Sequence, residues 1–401
     1  MVENGERAMS EPTVAIINKA KSTFWRPLYE AFAKAQPEPW KTLLIWPESL
    51  VSEHPAESVT PRAANLEIQM VPFRTLSIPI WWRNRLYQAG SWQISLPTAA
   101  QWWILKPRNI RAILIHEYSL YTVQALIYAK LHRIPAIVSS DLGCRNGHYF
   151  SWLTRLWHSL WGRLADGIVA CSPAAHQPLS KRAISTFSAY HAVDSRIYLP
   201  RERANSAADP VVFAYLGQLI PRKGLDLLLR ATARLRAEIS GEFRVRLIGG
   251  GDQTWLRQLL AKLGLESHVE LTGFLSGAAM REALGTADVF VLPTRQDTYA
   301  AVVHEAACLG LPLLVSQHAG AAEALVEEGR NGFVFDPNNL EQFVDRMSRL
   351  MSVATREPMR RASRRIGESH SAHERGKALW EWMHARFIAA LPCSDPITGR
   401  A

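Results

Sequence analysis

Cysteine is scarce and scattered. The 401-residue chain holds four, Cys144, Cys171, Cys308 and Cys393, and no C-x-x-C pair. That excludes a zinc ribbon or a disulfide framework and fits a reducing, cytoplasmic setting. No apolar run approaches the ~18 residues a spanning helix requires. The opening MVENGERAMSEP is polar and acidic, so no secretory signal is expected. His116 and Glu117 are neighbours, but no third side chain stands at metal-ligand spacing, so no metal site is expected. The pI is about 9.6, yet no basic-aromatic recognition module is present, and basicity alone does not make a nucleic-acid binder.

What is present is the composition of a globular protein, 48% hydrophobic and 20% charged, long enough for two domains. The net charge of +10 is uneven: residues 1–205 carry about +9 and the rest about +1. Tryptophan is skewed the same way, which predicts different partners for the two halves. Short apolar runs alternate with helical patterns throughout. TVAIIN, KTLLIW, RAILIHE, PAIVSS and GIVACS read as strands in the first half, with FWRPLYEAFAKA and YTVQALIYAKLH as helices. Residues 50 to 105 follow neither period. LPRERANSAADP is polar and bracketed by prolines, and it reads as a linker. The alternation then restarts with VVFAYLG, FRVRLIG, VELTG, ADVFVLP, LPLLVS and GFVFDP.

Near-continuous apolar strands separated by helices imply parallel sheets covered on both faces. The expectation is therefore α/β: two Rossmann-like, doubly wound domains facing across a cleft. The predicted boundaries are 1–198, a linker 199–210, a second domain 211–372, and a final helix in 373–401 that crosses back to the first domain.

Four loops at strand ends in the second half suit an anionic ligand. In GQLIPRKG, Gly217 and Gln218 end a strand, and Arg222 and Lys223 stand at a helix start where amides and cations would hold a phosphate. LIGGGD brings Gly249 and Gly250, and LTGFLS brings Gly273 and Phe274, as close backbone approaches. The fourth loop, PTRQDTYAAVVHEAACLG, carries Asp297 and Glu305 with seven residues between them. With Asp297 at a helix mouth and Glu305 two turns in, they would lie ~12 Å apart. That is too far for the paired acids of a glycosidase, but it suits the reach from a sugar ring to a ribose across a diphosphate. The amides of Thr298, Tyr299, Ala300 and Ala301 would face the phosphates between, and carboxylates are suited to gripping hydroxyls.

This array resembles the retaining GT-B glycosyltransferases of family 4 over about residues 205–340, and the first half only loosely. The resemblance implies a nucleotide-sugar donor on the second domain and a glycan or lipid-linked acceptor on the first. Asp297 would contact the sugar, Glu305 the ribose and Lys223 the diphosphate. No metal or other cofactor is implied, and no D-x-D occurs. The leaving diphosphate would take the acceptor proton after an oxocarbenium-like state. The usual arginine after Gly217 is Gln218 here, with Arg222 or Arg295 as substitutes, and the usual glycine of the acid loop is Ala300. Asp141 stands where relatives often place a histidine facing the sugar, with His116 and Glu117 as further candidates. Bacterial surface polysaccharide or glycolipid assembly is the implied setting. A nucleotide-sugar epimerase of similar fold, or a catalytically weak nucleotide-sugar-binding relative, are the alternatives.

Lys19, Lys21 and Arg26 follow the first strand and could hold an anionic acceptor. His148–Leu164 places Phe150, Leu153, Trp157, Leu160, Trp161 and Leu164 at helical spacing beside Arg155 and Arg163. Such a stripe is either core or an anionic-membrane surface at the inner face of the cytoplasmic membrane.

Overall fold

The computed structural model describes residues 11–18, 25–47, 63–72, 74–79, 91–143, 151–179, 183–200, 209–239 and 241–391. They divide into two units. One takes the described residues up to Tyr190 together with those from His373 on, and the other takes His191–Ala372. The division thus falls at Tyr190/His191, ahead of the proline-bracketed segment.

In the first unit the strands are β1 (Pro12–Ile17), β2 (Lys41–Pro47), β3 (Leu66–Val71), β4 (Thr75–Pro79), β5 (Ser91–Ser95), β6 (Asn109–His116), β7 (Ala136–Ser140), β8 (Gly167–Ala170) and β9 (Ser185–Ser188). Seven form a sheet in the order β3-β2-β1-β6-β7-β8-β9, and every pair in it is parallel. β4 and β5 form a separate antiparallel pair. The aperiodic stretch before residue 105 therefore contains an edge strand, this hairpin and the short helix Ala100–Leu105. Each is too short or too exposed to print a clear period.

The burial pattern of β1, β2 and β6 is nearly continuous, as expected for strands covered on both faces. One cover is the helix Arg26–Lys34, which the final segment joins. A Cβ on Gly376 would lie 2.5 Å from the Ala31 Cβ, Trp380 meets Phe32 edge-on at 5.8 Å, and Trp40 packs on Trp380 at 5.1 Å. The other cover is formed by the helices Ala100–Leu105, Leu120–Leu131 and Trp152–Gly162.

In the second unit β10 (Val211–Leu216), β11 (Phe243–Ile248), β12 (Val269–Gly273), β13 (Val289–Leu292), β14 (Leu313–Ser316) and β15 (Gly332–Phe335) form one sheet in the order β12-β11-β10-β13-β14-β15. All five pairings are parallel. Strand order reverses between β10 and β13, and the loops leaving those two strands come together at their carboxyl ends. Open α/β sheets bind ligands at such a switch point. The corresponding reversal in the first unit lies between β1 and β6.

Candidate active site

The loops after β10 and β13 are tied together at the second unit's switch point. The Lys223 ammonium bonds the Asp297 carboxylate, and both side chains are mostly buried. The Arg222 guanidinium donates to the Gln296 carbonyl at 2.8 Å, and the Arg295 amide donates to the Arg222 carbonyl at 2.9 Å. Arg295 forks onto Asp226 with two bonds of 2.7 Å. Desolvation raises the Asp226 pKa, but the bonds from Arg295 outweigh it and hold the carboxyl below its ordinary value. Of the two arginines expected to replace the missing cation at Gln218, one is thus bonded to a carbonyl and the other to an acid. Gln218 itself is exposed.

The glycine turns stack beside this pair. Gly249 lies so close to the first loop that a Cβ there would sit 1.8 Å from the Gly217 carbonyl oxygen. The Leu219 amide donates to the Gly250 carbonyl, and the Gly249 amide to the Gly273 carbonyl. Phe274, next to that turn, is 78% exposed. An aromatic ring left this open beside the glycine turns offers a flat face for stacking.

The acid loop differs from the expectation. Residues 297–301 are not helical: Asp297 makes a parallel bridge with Ala319, and the helix begins only at Val302. Glu305 therefore stands in its first turn rather than two turns in, and a spacing derived from helical rise does not apply. The cause is local. Ala300 adopts φ 73°, a left-handed conformation that a residue with a Cβ rarely takes, and this turns the chain before the helix starts. Gly320 packs beneath: a Cβ on it would meet the Thr298 carbonyl oxygen at 2.1 Å, while the Ala321 amide holds the Tyr299 carbonyl at 2.8 Å. Among the described residues, no backbone carbonyl takes the amides of Thr298, Ala300 or Ala301. Such open amides beside a helix start suit an anion.

Glu305 is partly buried, and desolvation pushes its carboxyl pKa up. The neighbouring Tyr198 hydroxyl and the nearby charge of Arg281 pull the other way and do not fully offset it. Sequence reading missed Tyr198, which it assigned to the end of the first domain, and Arg281, which lies mid-helix with no motif around it.

The first unit holds the other candidates. Arg26 is buried and donates to Glu30 at 2.6 Å within one helix turn, so its charge is met locally. Lys19 and Lys21 lie outside the described residues. His116 is buried at the end of β6, its ring 5.0 Å from that of Trp25. Glu117, at φ 59°, accepts the Asp141 amide at 2.6 Å and the Ser140 hydroxyl at 3.2 Å. Its carboxylate thus shapes the loop after β7. Cys171 and Cys308 are free and buried, while Cys144 and Cys393 fall outside the described residues. No group of three or more His, Cys, Asp or Glu side chains among the described residues could hold a metal ion.

A family model described as glycosyl transferases group 1 matches residues 200–367. Among curated proteins, sulfoquinovosyl transferase SQD2 of Arabidopsis thaliana is 27% identical over 316 residues, covering 69% of this chain and 60% of that protein. The GDP-mannose-dependent alpha-(1-6)-phosphatidylinositol monomannoside mannosyltransferase of Mycobacterium tuberculosis is 26% identical over 270 residues, 61% of this chain and 66% of the other. The chain thus spans less than two thirds of the length of these relatives. Among solved structures, a sucrose-phosphate synthase from Thermosynechococcus elongatus superimposes with TM-score 0.68 at 15% identity, covering 95% of this chain and all of the other. Anabaena Alr3699/HepE in complex with UDP does so with TM-score 0.66 at 16% identity, covering 94% of this chain and all of the other.

Proposed function

We propose, from the match of residues 200–367 to the group 1 glycosyltransferases and from the GT-B fold, that the chain moves a hexose from a nucleotide-sugar donor to a glycan or lipid-linked acceptor with retention of configuration. The observation that carries this reading is the convergence at the β10/β13 switch point: Lys223 bonded to Asp297, unbonded amides at Thr298, Ala300 and Ala301, and glycine turns close beside them. Relatives and structural neighbours include a GDP-mannose-dependent mannosyltransferase and a complex with UDP, which makes nucleoside diphosphate sugars the donors of choice.

In this reading the donor diphosphate lies over the open amides and takes Lys223 from its pairing with Asp297. Asp297 then accepts hydrogen bonds from sugar hydroxyls, Glu305 accepts those of the ribose, and Phe274 stacks on the base. Charge builds on the diphosphate as the glycosidic bond breaks, and a preorganised cation with aligned amides stabilises it in place. A diphosphate oxygen takes the proton of the attacking hydroxyl, so the chain need supply no strong base. The fixed positive groups also make a divalent ion unnecessary. Polysaccharide or glycolipid assembly beside the cytoplasmic membrane is the setting that fits.

Thermal shift with UDP-, GDP- and ADP-linked sugars tests the donor. One series should raise Tm by several degrees at concentrations far above its Kd, and Lys223→Met should abolish that shift. EDTA should leave both the shift and the rate of nucleoside diphosphate release unchanged. An absence of response to every nucleotide sugar sinks the reading. A response without release of nucleoside diphosphate, with any acceptor, favours a binding relative. Release of no nucleotide but interconversion of the sugar favours an epimerase.

A further inference from the structure

The three helices Ala100–Leu105, Leu120–Leu131 and Trp152–Gly162 cover one face of the first unit's sheet. Leu105, Tyr121 and Leu126 from the first two join a single core cluster with residues of β1, β6 and β7, and Trp157 and Trp161 of the third pack against it. The Trp157 indole also donates to the Tyr118 carbonyl, just ahead of the second helix, at 2.8 Å. The expected stripe of the third helix is thereby split: Trp157, Trp161 and Leu164 face the core, while Leu153 and Leu160 face out. Phe150 lies outside the described residues.

The outward side of this layer is apolar where a solvated helix would be polar. The first helix exposes Trp102 and Trp103, the latter by 73%. The second exposes Leu120, Ile127 and Leu131, the last by 66%. The third exposes Leu153, Leu156, Leu160 and Trp152, the last by 64%. These are nine of the fifteen large apolar side chains exposed among the described residues. A cavity of about 690 Å³ opens between the first two helices, walled by Trp102, Trp103 and Tyr128 and edged by Lys106 and His132.

Charge on this layer has one sign. The helix sequences AQWWIL, LYTVQALIYAKL and WLTRLWHSLWG contain no aspartate or glutamate. Lys130 is neutralised by Asp166 at 2.6 Å. Lys106, Arg133, Arg155 and Arg163 are exposed around the apolar ridges, with the Lys106 ammonium 6.0 Å from the Trp103 ring centre. Contiguous apolar surface marks an interaction site. Tryptophan at the level of cations, on three helices that themselves carry no acid, matches the headgroup zone of an anionic bilayer rather than a protein of mixed charge. No helix among the described residues is long and apolar enough to cross a membrane.

We infer that this three-helix face lies on an anionic phospholipid bilayer, with Trp103 and Trp152 at headgroup depth, Arg155 and Arg163 against lipid phosphates, and a lipid chain in the cavity beside Trp102. The inference stands apart from sugar transfer, because the surface belongs to the first unit and its binding is read without any donor.

Sedimentation of the full chain with phosphatidylcholine vesicles, with and without phosphatidylglycerol, tests it. Binding should require the anionic lipid and fall steeply from low to high salt. R155Q/R163Q should bind roughly thirtyfold more weakly, and W152S/L156S/L160S should lose binding, both with an unchanged donor-induced Tm shift. Equal binding to neutral vesicles, or no binding to either, overturns the inference. So does a concentration-dependent dimer in ultracentrifugation that the serine triple variant abolishes, since the face would then be covered by a second copy.

Discussion

Glu305 is an acid that the second unit retains against its own desolvation, and that opposition gives it a measurable pH signature. Its carboxyl pKa is raised by burial, with Tyr198 and Arg281 only partly offsetting the rise. The folded state therefore holds the proton more tightly than the unfolded chain does. Between the ordinary carboxylate value of 4.5 and the raised one, unfolding releases a proton, so stability falls as pH rises through that window. Below it the strain is absent; above it the full penalty applies. Glu305→Gln should flatten this descending limb in urea titrations run across the window, leaving the variant as stable as the parent, or more so, at neutral pH. In the proposed reaction the same change should weaken donor affinity at neutral pH by about tenfold or more, as a charge-assisted bond is replaced by a neutral one. A variant that is less stable than the parent at every pH, with donor affinity intact, would make Glu305 a structural acid. Its sequence context foretold an acid among apolar neighbours. It did not foretell Tyr198, because a residue's neighbour from a distant part of the chain leaves no local pattern.

The acid loop joins strand, turn and helix in nine residues, Pro293–Ala301, and its shape depends on two small residues. Ala300 sits at φ 73°, where a Cβ costs about 1 kcal/mol relative to glycine. Gly320 touches the Thr298 carbonyl where no Cβ fits. Ala300→Gly should therefore stabilise the protein by about 0.5–1 kcal/mol, whereas Gly320→Ala should destabilise it by about 1–3 kcal/mol through overpacking. Chemical denaturation gives both values. Stabilities that change in the opposite sense, or not at all, would mean that this loop is not held as described. Sequence reading recognised that a small residue belongs at position 300, but placed the helix start at Asp297. Helix periodicity is visible from Val302 on, whereas the left-handed turn before it rests on one backbone angle. The same limit applies earlier in the chain: β4, β5 and the six-residue helix after them are too short to establish a period, while the long apolar strands of both sheets were legible from their runs alone.

At the scale of the whole molecule, the chain closes its first unit with its last helix, and this separates the stability of one unit from the chemistry of the other. The final segment returns to the helix Arg26–Lys34 with Gly376 against it: a Cβ there would lie 2.5 Å from the Ala31 Cβ and 2.7 Å from the Leu28 carbonyl oxygen. Trp382 and Phe387 press as closely on Gly167 of β8, where an added Cβ would meet the Phe387 ring at 2.6 Å. A bulky residue at position 376 must push the last helix off its seat and open the contacts of Trp380 with Phe32 and Trp40. Overpacking of this kind costs about 1–3 kcal/mol, and here it should fall on the first unit alone. Gly376→Leu should therefore lower the transition of the first unit in calorimetry by several degrees. The rise of the second unit's transition on adding a nucleotide sugar should keep its size, because Lys223, Asp297 and Glu305 all lie within His191–Ala372. Loss of the donor-induced shift in proportion to the loss of stability would mean that the two units do not hold their functions separately, and that the nucleotide site depends on how the last helix is seated.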